Sequence, residues 1–416
     1  MREIAILVNN EPNFVEQDKL KSWIRLTILF TMGVIGTVGM WSVVVVLPAL
    51  QNEFNLDRGN ASLLYAATMV GFGLGNFLIG KVTDRLGVKI PIILATILLI
   101  ASYLLAIISN QFWQLLILQV FMGLSSATFF GPFMADIGNY FNRRRGLAVS
   151  IVGSANYIAG AIWPLLISYF LSFGNWKDVY LGIAVICFII MLPLILILKE
   201  NRIKHHNTDI NIGLGNSIKG SFSQKKLQFL LMFAGVGCCV AMAMPQVHIV
   251  ALCVDSGFGL SVGAEVLSVM LFSGMISRVA SGVLSDKIGP VFTLFIGSLL
   301  QMISLVFFLP FDSQNALYIV SFMFGLSQGG IVPAYAMIVR KYLPLSEVGE
   351  RVGLVIMATI VGMGLGGWMS GEIYDLTQSY KYAFVNGIIW NLINVLIVSY
   401  IMWKLIFSKN NISRAN

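Results

Sequence analysis

Apolar residues in this chain run in long blocks broken by short polar stretches. A helix needs about 20 predominantly apolar residues to cross the hydrocarbon core of a bilayer. Blocks of that length recur at about 24–49, 60–83, 89–109, 112–139, 146–172, 178–198, 227–254, 262–285, 290–310, 314–339, 352–374 and 382–407. The pattern predicts an all-α polytopic membrane protein with twelve transmembrane helices. Most breaks are short. The exception is 199–226, KENRIKHHNTDINIGLGNSIKGSFSQKK, which is polar, basic and rich in glycine and serine. It predicts two six-helix bundles, 1–198 and 227–416, joined by a linker at 199–226.

Composition agrees. Of the 416 residues, 57% are hydrophobic and 11% charged, with a mean hydropathy of +0.83, whereas soluble domains carry about 25% charged residues. The first 22 residues hold no long apolar core and no small-residue cleavage site, so the first helix is expected to insert uncleaved. The net charge of +8 changes meaning once the cations are located. With the N-terminus placed in the cytoplasm, 23 of the 27 lysines and arginines fall on the inside. Arg58, Lys177 and Lys381 fall outside, and Arg278 lies within a span. Positive loops stay cytoplasmic, so the basic excess sets topology and no nucleic acid is needed to explain it. The expected location is the plasma (inner) membrane, with both termini cytoplasmic.

The two halves also resemble each other. Residues 80–89 read GKVTDRLGVK and 282–291 read GVLSDKIGPV, so Gly80 and Gly282, Asp84 and Asp286, and Gly87 and Gly289 share an offset of 202. Gly123-Leu124-Ser125 and Gly325-Leu326-Ser327 repeat at the same offset. Internal repeats of this kind signal a two-bundle transporter with its site between the halves near the midplane.

The G-x-x-x-D-R-x-G-x-K pattern at 80–89, between spans two and three, resembles the signature loop of the major facilitator superfamily. Its partial copy lies between spans eight and nine. The resemblance implies that fold, and a conformational latch at Gly80, Asp84, Arg85 and Gly87 with its echo at Gly282, Asp286 and Gly289. Asp136 with Arg143, Arg144 and Arg145 is a further candidate for that charge network. Three stretches are similar to the monocarboxylate porter and oxalate:formate antiporter branch: NYFNRRRGLA at 139–148, HIVALCVDSGF at 248–258 and SRVASGVLSDKIG at 277–289. That similarity implies that Arg278 binds a substrate carboxylate.

Elementary chemistry points the same way. Arg278 lies eight residues before Asp286, about 12 Å along a helix, and a cation at that depth needs a cavity or a partner. Its planar fork suits bidentate carboxylate recognition. Glu265 and Asp255 lie toward the outer ends of spans and Asp136 toward an inner end, so none matches its depth. The chain departs from the resembled branch at Gly274, where an aspartate stands one turn before the arginine in proton-coupled members. It departs again at Thr359, where the oxalate porter has a second cation. One fixed positive charge then predicts a substrate with a single carboxylate.

His248, Asn156, Tyr157 and Gln328 are polar residues within spans and candidates to complete the site, with Trp41 and Tyr65 as apolar walls. Histidine also titrates near neutrality, which leaves both proton symport and anion exchange open. Cys187, Cys238, Cys239 and Cys253 all lie in apolar spans, where cysteine behaves as a small hydrophobe. No metal or cofactor is expected, and His205-His206 lacks metal partners. GMGLGG at 362–367 lies within a span with no preceding strand, so it reads as helix packing. The reading that results is a monomeric secondary transporter of a small organic anion, with protons or a counter-anion as second solute, and not an enzyme. Its rivals are a drug or other-solute exporter of the same fold and a non-transporting membrane sensor or scaffold.

Overall fold

The computed structural model describes residues 18–198, 223–310, 313–344 and 347–413. They form the expected twelve spans: Leu20–Glu53, Arg58–Leu86, Lys89–Ile107, Phe112–Ile137, Arg145–Leu171, Trp176–Ile197, Gln224–Asp255, Leu260–Ile288, Pro290–Phe307, Gln314–Tyr342, Val348–Thr377 and Tyr380–Ser413. They are numbered 1 to 12 below. Of the linker, 199–222 lies outside the described residues, with His205 and His206, and Gln224 already begins span 7. Successive spans reverse direction, so the start of span 1, the end of span 12 and the 2–3, 4–5, 8–9 and 10–11 connections share one side, the termini side.

Span 2 runs along span 11 and span 5 along span 8, and these pairs join the two halves, with spans 1 and 7 also meeting. Spans 3, 6, 9 and 12 pack within their own half. They leave Leu94, Ile97, Phe188, Ile189, Ile389 and Leu396 exposed, as a surface solvated by lipid chains allows. Inside each half, polar side chains bond helix to helix. Thr68 donates to Gln119, which donates to Tyr180, while Tyr335 donates to Asn394 and Asn394 to Asn391. The internal repeat is visible in packing. Gly123 lies against Thr68 of span 2, and Gly325, 202 residues on, lies against Met270 of span 8 at that same offset.

Four spans are not continuous. Span 1 breaks at Thr37, span 4 at Phe129 and Phe130, span 5 at Ser154, and span 10 at Gly329 and Gly330. Such broken helices are tolerated in a membrane where the freed backbone is buried in protein or lines a cavity. None of these breaks was expected from the hydrophobic pattern, because apolar residues continue across them.

Asp136 is held differently from the expectation. Its carboxylate accepts from Arg25 of span 1, Nε at 2.7 Å and Nη2 at 2.9 Å, and that guanidinium lies 4.4 Å from the Tyr140 ring. Arg143, Arg144 and Arg145 are exposed. The Arg143 backbone N–H donates instead to Asp18, at 3.0 Å. That bond and a second from Asn142 hold the Asp18 carboxyl below its ordinary range.

Removing one member of a largely buried bidentate pair leaves an uncompensated charge, at up to about 3–5 kcal/mol. Asp136→Ala should therefore lower the unfolding midpoint of the purified protein markedly, while Arg25→Met combined with Asp136→Leu should recover most of the loss. Equal destabilisation by the single and the double variant, followed by thermal unfolding, would exclude this account.

Candidate functional site

Three of the four breaks converge on one side chain. Arg278 of span 8 lies ten residues before Ile288, about 15 Å from the termini-side end. Its Nε donates to the Gly329 carbonyl at 3.2 Å, within the span 10 break. Its Nη1 donates to the Gly153 carbonyl at 2.6 Å, beside the span 5 break. Its Cζ lies 4.6 Å from the Tyr157 ring centroid and 6.0 Å from that of Phe130, in the span 4 break. Two carbonyls take two of the five N–H donors a guanidinium carries. Gly153, Tyr157 and Phe130 belong to the first half and Arg278 and Gly329 to the second. The cation is therefore seated on the interface between the bundles.

Among the described residues, no carboxylate is within ion-pair distance of Arg278. Asp136 is held by Arg25 and Asp255 by Arg58, and Glu265 accepts from the Tyr318 hydroxyl. Gly274 has a structural reason to be glycine: a Cβ there would lie 2.6 Å from Tyr157 Cε1. The tyrosine ring occupies the room a side chain would need, and from there it reaches beneath the guanidinium.

The remaining candidates divide. Asn156 holds Trp41, whose Nε1 donates to the Asn156 amide oxygen and backbone carbonyl, each at 3.0 Å. Gln328 precedes Gly329 but is fully buried, and its amide oxygen accepts from Gln246 at 2.7 Å. The Thr359 hydroxyl donates to its own helix, to the Ile356 carbonyl. His248 is elsewhere. It lies seven residues from the end of span 7 at Asp255, whereas Arg278 lies eighteen from the start of span 8 at Leu260. These correspond to about 10 Å and about 27 Å from the side opposite the termini. The His248 Nε2 contacts the Gly367 carbonyl at 2.8 Å, its ring lies 5.7 Å from that of Tyr380, and its buried Nδ1 has no hydrogen-bond partner. Tyr65 belongs to the same layer, against Gly367.

That layer is a closure. Arg58, at the start of span 2, donates through Nη1 to the Tyr380 hydroxyl at 2.7 Å and through Nη2 to Asp255 at 3.1 Å. Its Cζ lies 5.1 Å from the Tyr374 ring. The backbone N–H groups of Arg58 and Gly59 donate to the Asp375 carboxylate at 2.9 and 2.6 Å. An acid from span 11 thus caps the positive end of the span 2 helix. One arginine and one helix terminus tie spans 2, 7, 11 and 12 together opposite the termini. Sequence reasoning counted Arg58 only as a topology charge and did not single out Asp375. The partners stand 197 and 317 residues away, so no spacing links them.

Gly80, Gly146, Gly282, Gly349 and Gly353, on spans 2, 5, 8 and 11, each have nothing within 4 Å of a would-be Cβ. Gly87 and Gly289 end their helices at φ 80° and 90°, the left-handed region that favours glycine. The expected tight turns are present in both copies of the loop. Arg85 and Asp286 are exposed, and the Asp84 side chain lies outside the described residues. Close helix approach at Gly80 and Gly282, the other expectation for these glycines, does not occur in this conformation.

A family model described as Major Facilitator Superfamily matches residues 29–316 and 266–413. Monocarboxylate transporter 13 of Rattus norvegicus is 26% identical over 334 residues, 78% of this chain and 75% of that protein. MFS transporter asaE of Aspergillus flavus is 23% identical over 290 residues, 68% of this chain and 64% of that protein's length. Agnestins efflux protein AgnL12 of Paecilomyces divaricatus is 22% identical over 330 residues, 78% of this chain and 74% of that protein. The crystal structure of a bacterial homolog of the human lysosomal transporter Spinster, inward-facing and unoccupied, matches with a TM-score of 0.67. That match covers 94% of this chain and 97% of the other at 15% identity.

Asp375→Ala should loosen the closure. A cysteine replacing the fully buried Ser62 should react at least about tenfold faster with an impermeant maleimide added opposite the termini. An unchanged labelling rate in the Asp375→Ala background would mean that the Arg58 layer does not hold that side shut.

Proposed function

The chain belongs to the Major Facilitator Superfamily, and from that premise we propose that it moves a small organic anion, a monocarboxylate, by alternating access. The observation that carries the reading is Arg278: a guanidinium at the interface of the bundles, bonded to a carbonyl from each half and to no carboxylate among the described residues. Carbonyl dipoles and the Tyr157 face stabilise the cation in part, and a bound carboxylate supplies the missing charge. The name of the rat relative, monocarboxylate transporter 13, supports the substrate class. Asn156 supports the site by orienting Trp41, and Gln328 by ordering the turn that presents the Gly329 carbonyl.

The excess of lysine and arginine on the termini side supports placing that side in the cytoplasm, at the plasma (inner) membrane. The loops around Gly80, Asp84, Arg85 and Gly87 and around Gly282, Asp286 and Gly289 then close the inward side in the alternate state, while Arg58 closes the outward side in this one. With His248 in the Arg58 layer and apart from Arg278, neutralisation of Arg278 by the anion itself favours exchange over proton symport. A second reading, outward movement of a larger acid, draws support from the relative named as an efflux protein.

Counterflow of a panel of labelled carboxylates in proteoliposomes tests the proposal. Monocarboxylates should exchange, and Arg278→Lys should reduce the rate by at least about tenfold without altering the elution profile of the protein. Gly274→Asp, which sets a carboxylate one turn from the cation and displaces Tyr157, should abolish exchange. Strong preference for a dicarboxylate, or undiminished exchange by Arg278→Lys, would refute the single-charge site.

A further inference from the structure

Building on the carboxylate reading of Arg278, we infer that the anion carries its single carboxylate on an apolar body, an alkyl or aryl acid. A small hydroxylated acid does not match the surroundings of the guanidinium. The argument rests on what remains once the carboxylate is placed. Two aromatic rings flank the cation, Tyr157 at 4.6 Å and Phe130 at 6.0 Å. Phe130 is half-buried, with one contact on the Phe72 ring at 5.9 Å. Met134, half-buried as well, presents its sulfur to Gly153, whose carbonyl holds Arg278.

The other polar candidates already have partners within the protein. The Trp41 indole N–H bonds Asn156, Gln246 bonds Gln328, and the Thr359 hydroxyl bonds its own helix. The Gln328 amide nitrogen has no partner, but the whole residue is enclosed. A substrate hydroxyl brought against Phe130 and Met134 would lose water and meet a ring and a thioether. A methylene or phenyl group would gain from the same transfer, about fourfold in affinity per fully buried methylene. The charge of Arg278 selects the head of the ligand, and the rings of Phe130 and Tyr157 select its body.

Calorimetric titration of the purified full chain in nanodiscs tests this with acetate, butanoate, hexanoate, phenylacetate, lactate and, as an uncharged match, hexanol. Arg278→Gln protein serves as the blank for partition into lipid. The expected result is a Kd at least tenfold lower for hexanoate than for acetate, abolished by Arg278→Gln. In Phe130→Ala the ratio of hexanoate to acetate affinity should fall at least about threefold. Arg278-dependent binding that is flat along the series, or tighter for lactate than for hexanoate, overturns this inference and leaves the carboxylate reading standing. So does a chain-length gain kept in full by Phe130→Ala. Acid binding that Arg278→Gln does not weaken, hexanol binding as tightly as hexanoate, or no acid binding at all overturns the carboxylate reading and this inference with it.

Discussion

A guanidinium at the middle depth of a membrane protein has to be solvated by something other than lipid, and around Arg278 the solvation is built from backbone. Insertion scales put an arginine at a helix centre about 2.5–3.5 kcal/mol uphill. Here the carbonyls of Gly153 and Gly329 and the face of Tyr157 take the place of water. Those carbonyls lie at or beside breaks in spans 5 and 10. The irregular backbone and the buried cation therefore explain each other. Gly274 completes the arrangement, since any side chain there would drive Tyr157 off the guanidinium.

Because the groups around Arg278 come from both bundles, its environment depends on how the halves are placed. The same holds for Arg58 opposite the termini, where an ion pair, a helix terminus and a tyrosine join spans 2, 7, 11 and 12. The two arginines have different tasks. Arg58 is matched by Asp255 and sits in a closed layer, a structural neutralisation. Arg278 meets neutral groups instead, the carbonyls of Gly153 and Gly329 and the Tyr157 ring, and among the described residues no carboxylate pairs with it. The His248 ring lies in the Arg58 layer, tilted against that of Tyr380.

Much was legible along the chain. The twelve spans follow from the thickness of the hydrocarbon core, which imposes a length on every crossing, and the six-plus-six division from the polar stretch 199–226. The repeat at an offset of 202 predicted equivalent contacts, and Gly123 with Thr68 and Gly325 with Met270 supply them. The depth of Arg278 followed from counting residues to a polar helix end. The candidates around it were less legible: Tyr157 lies against the arginine, Asn156 accepts from Trp41, and Gln328 pairs within its own half.

By itself, the sequence determined how many times the chain crosses the membrane, which side holds the positive loops, and that one span carries a cation where lipid cannot solvate it. These are one-dimensional properties, set by hydrophobic length and charge along the chain. The tertiary structure alone decided which carbonyls meet that cation, that Asp136 pairs with Arg25, and that Arg58 meets Asp375 across 317 residues. It also decided that His248 and Arg278 lie in different layers. Two residues inside apolar spans look alike to a hydropathy pattern. Which face each presents, and to which helix, depends on the packing of the two bundles, and local sequence does not encode that.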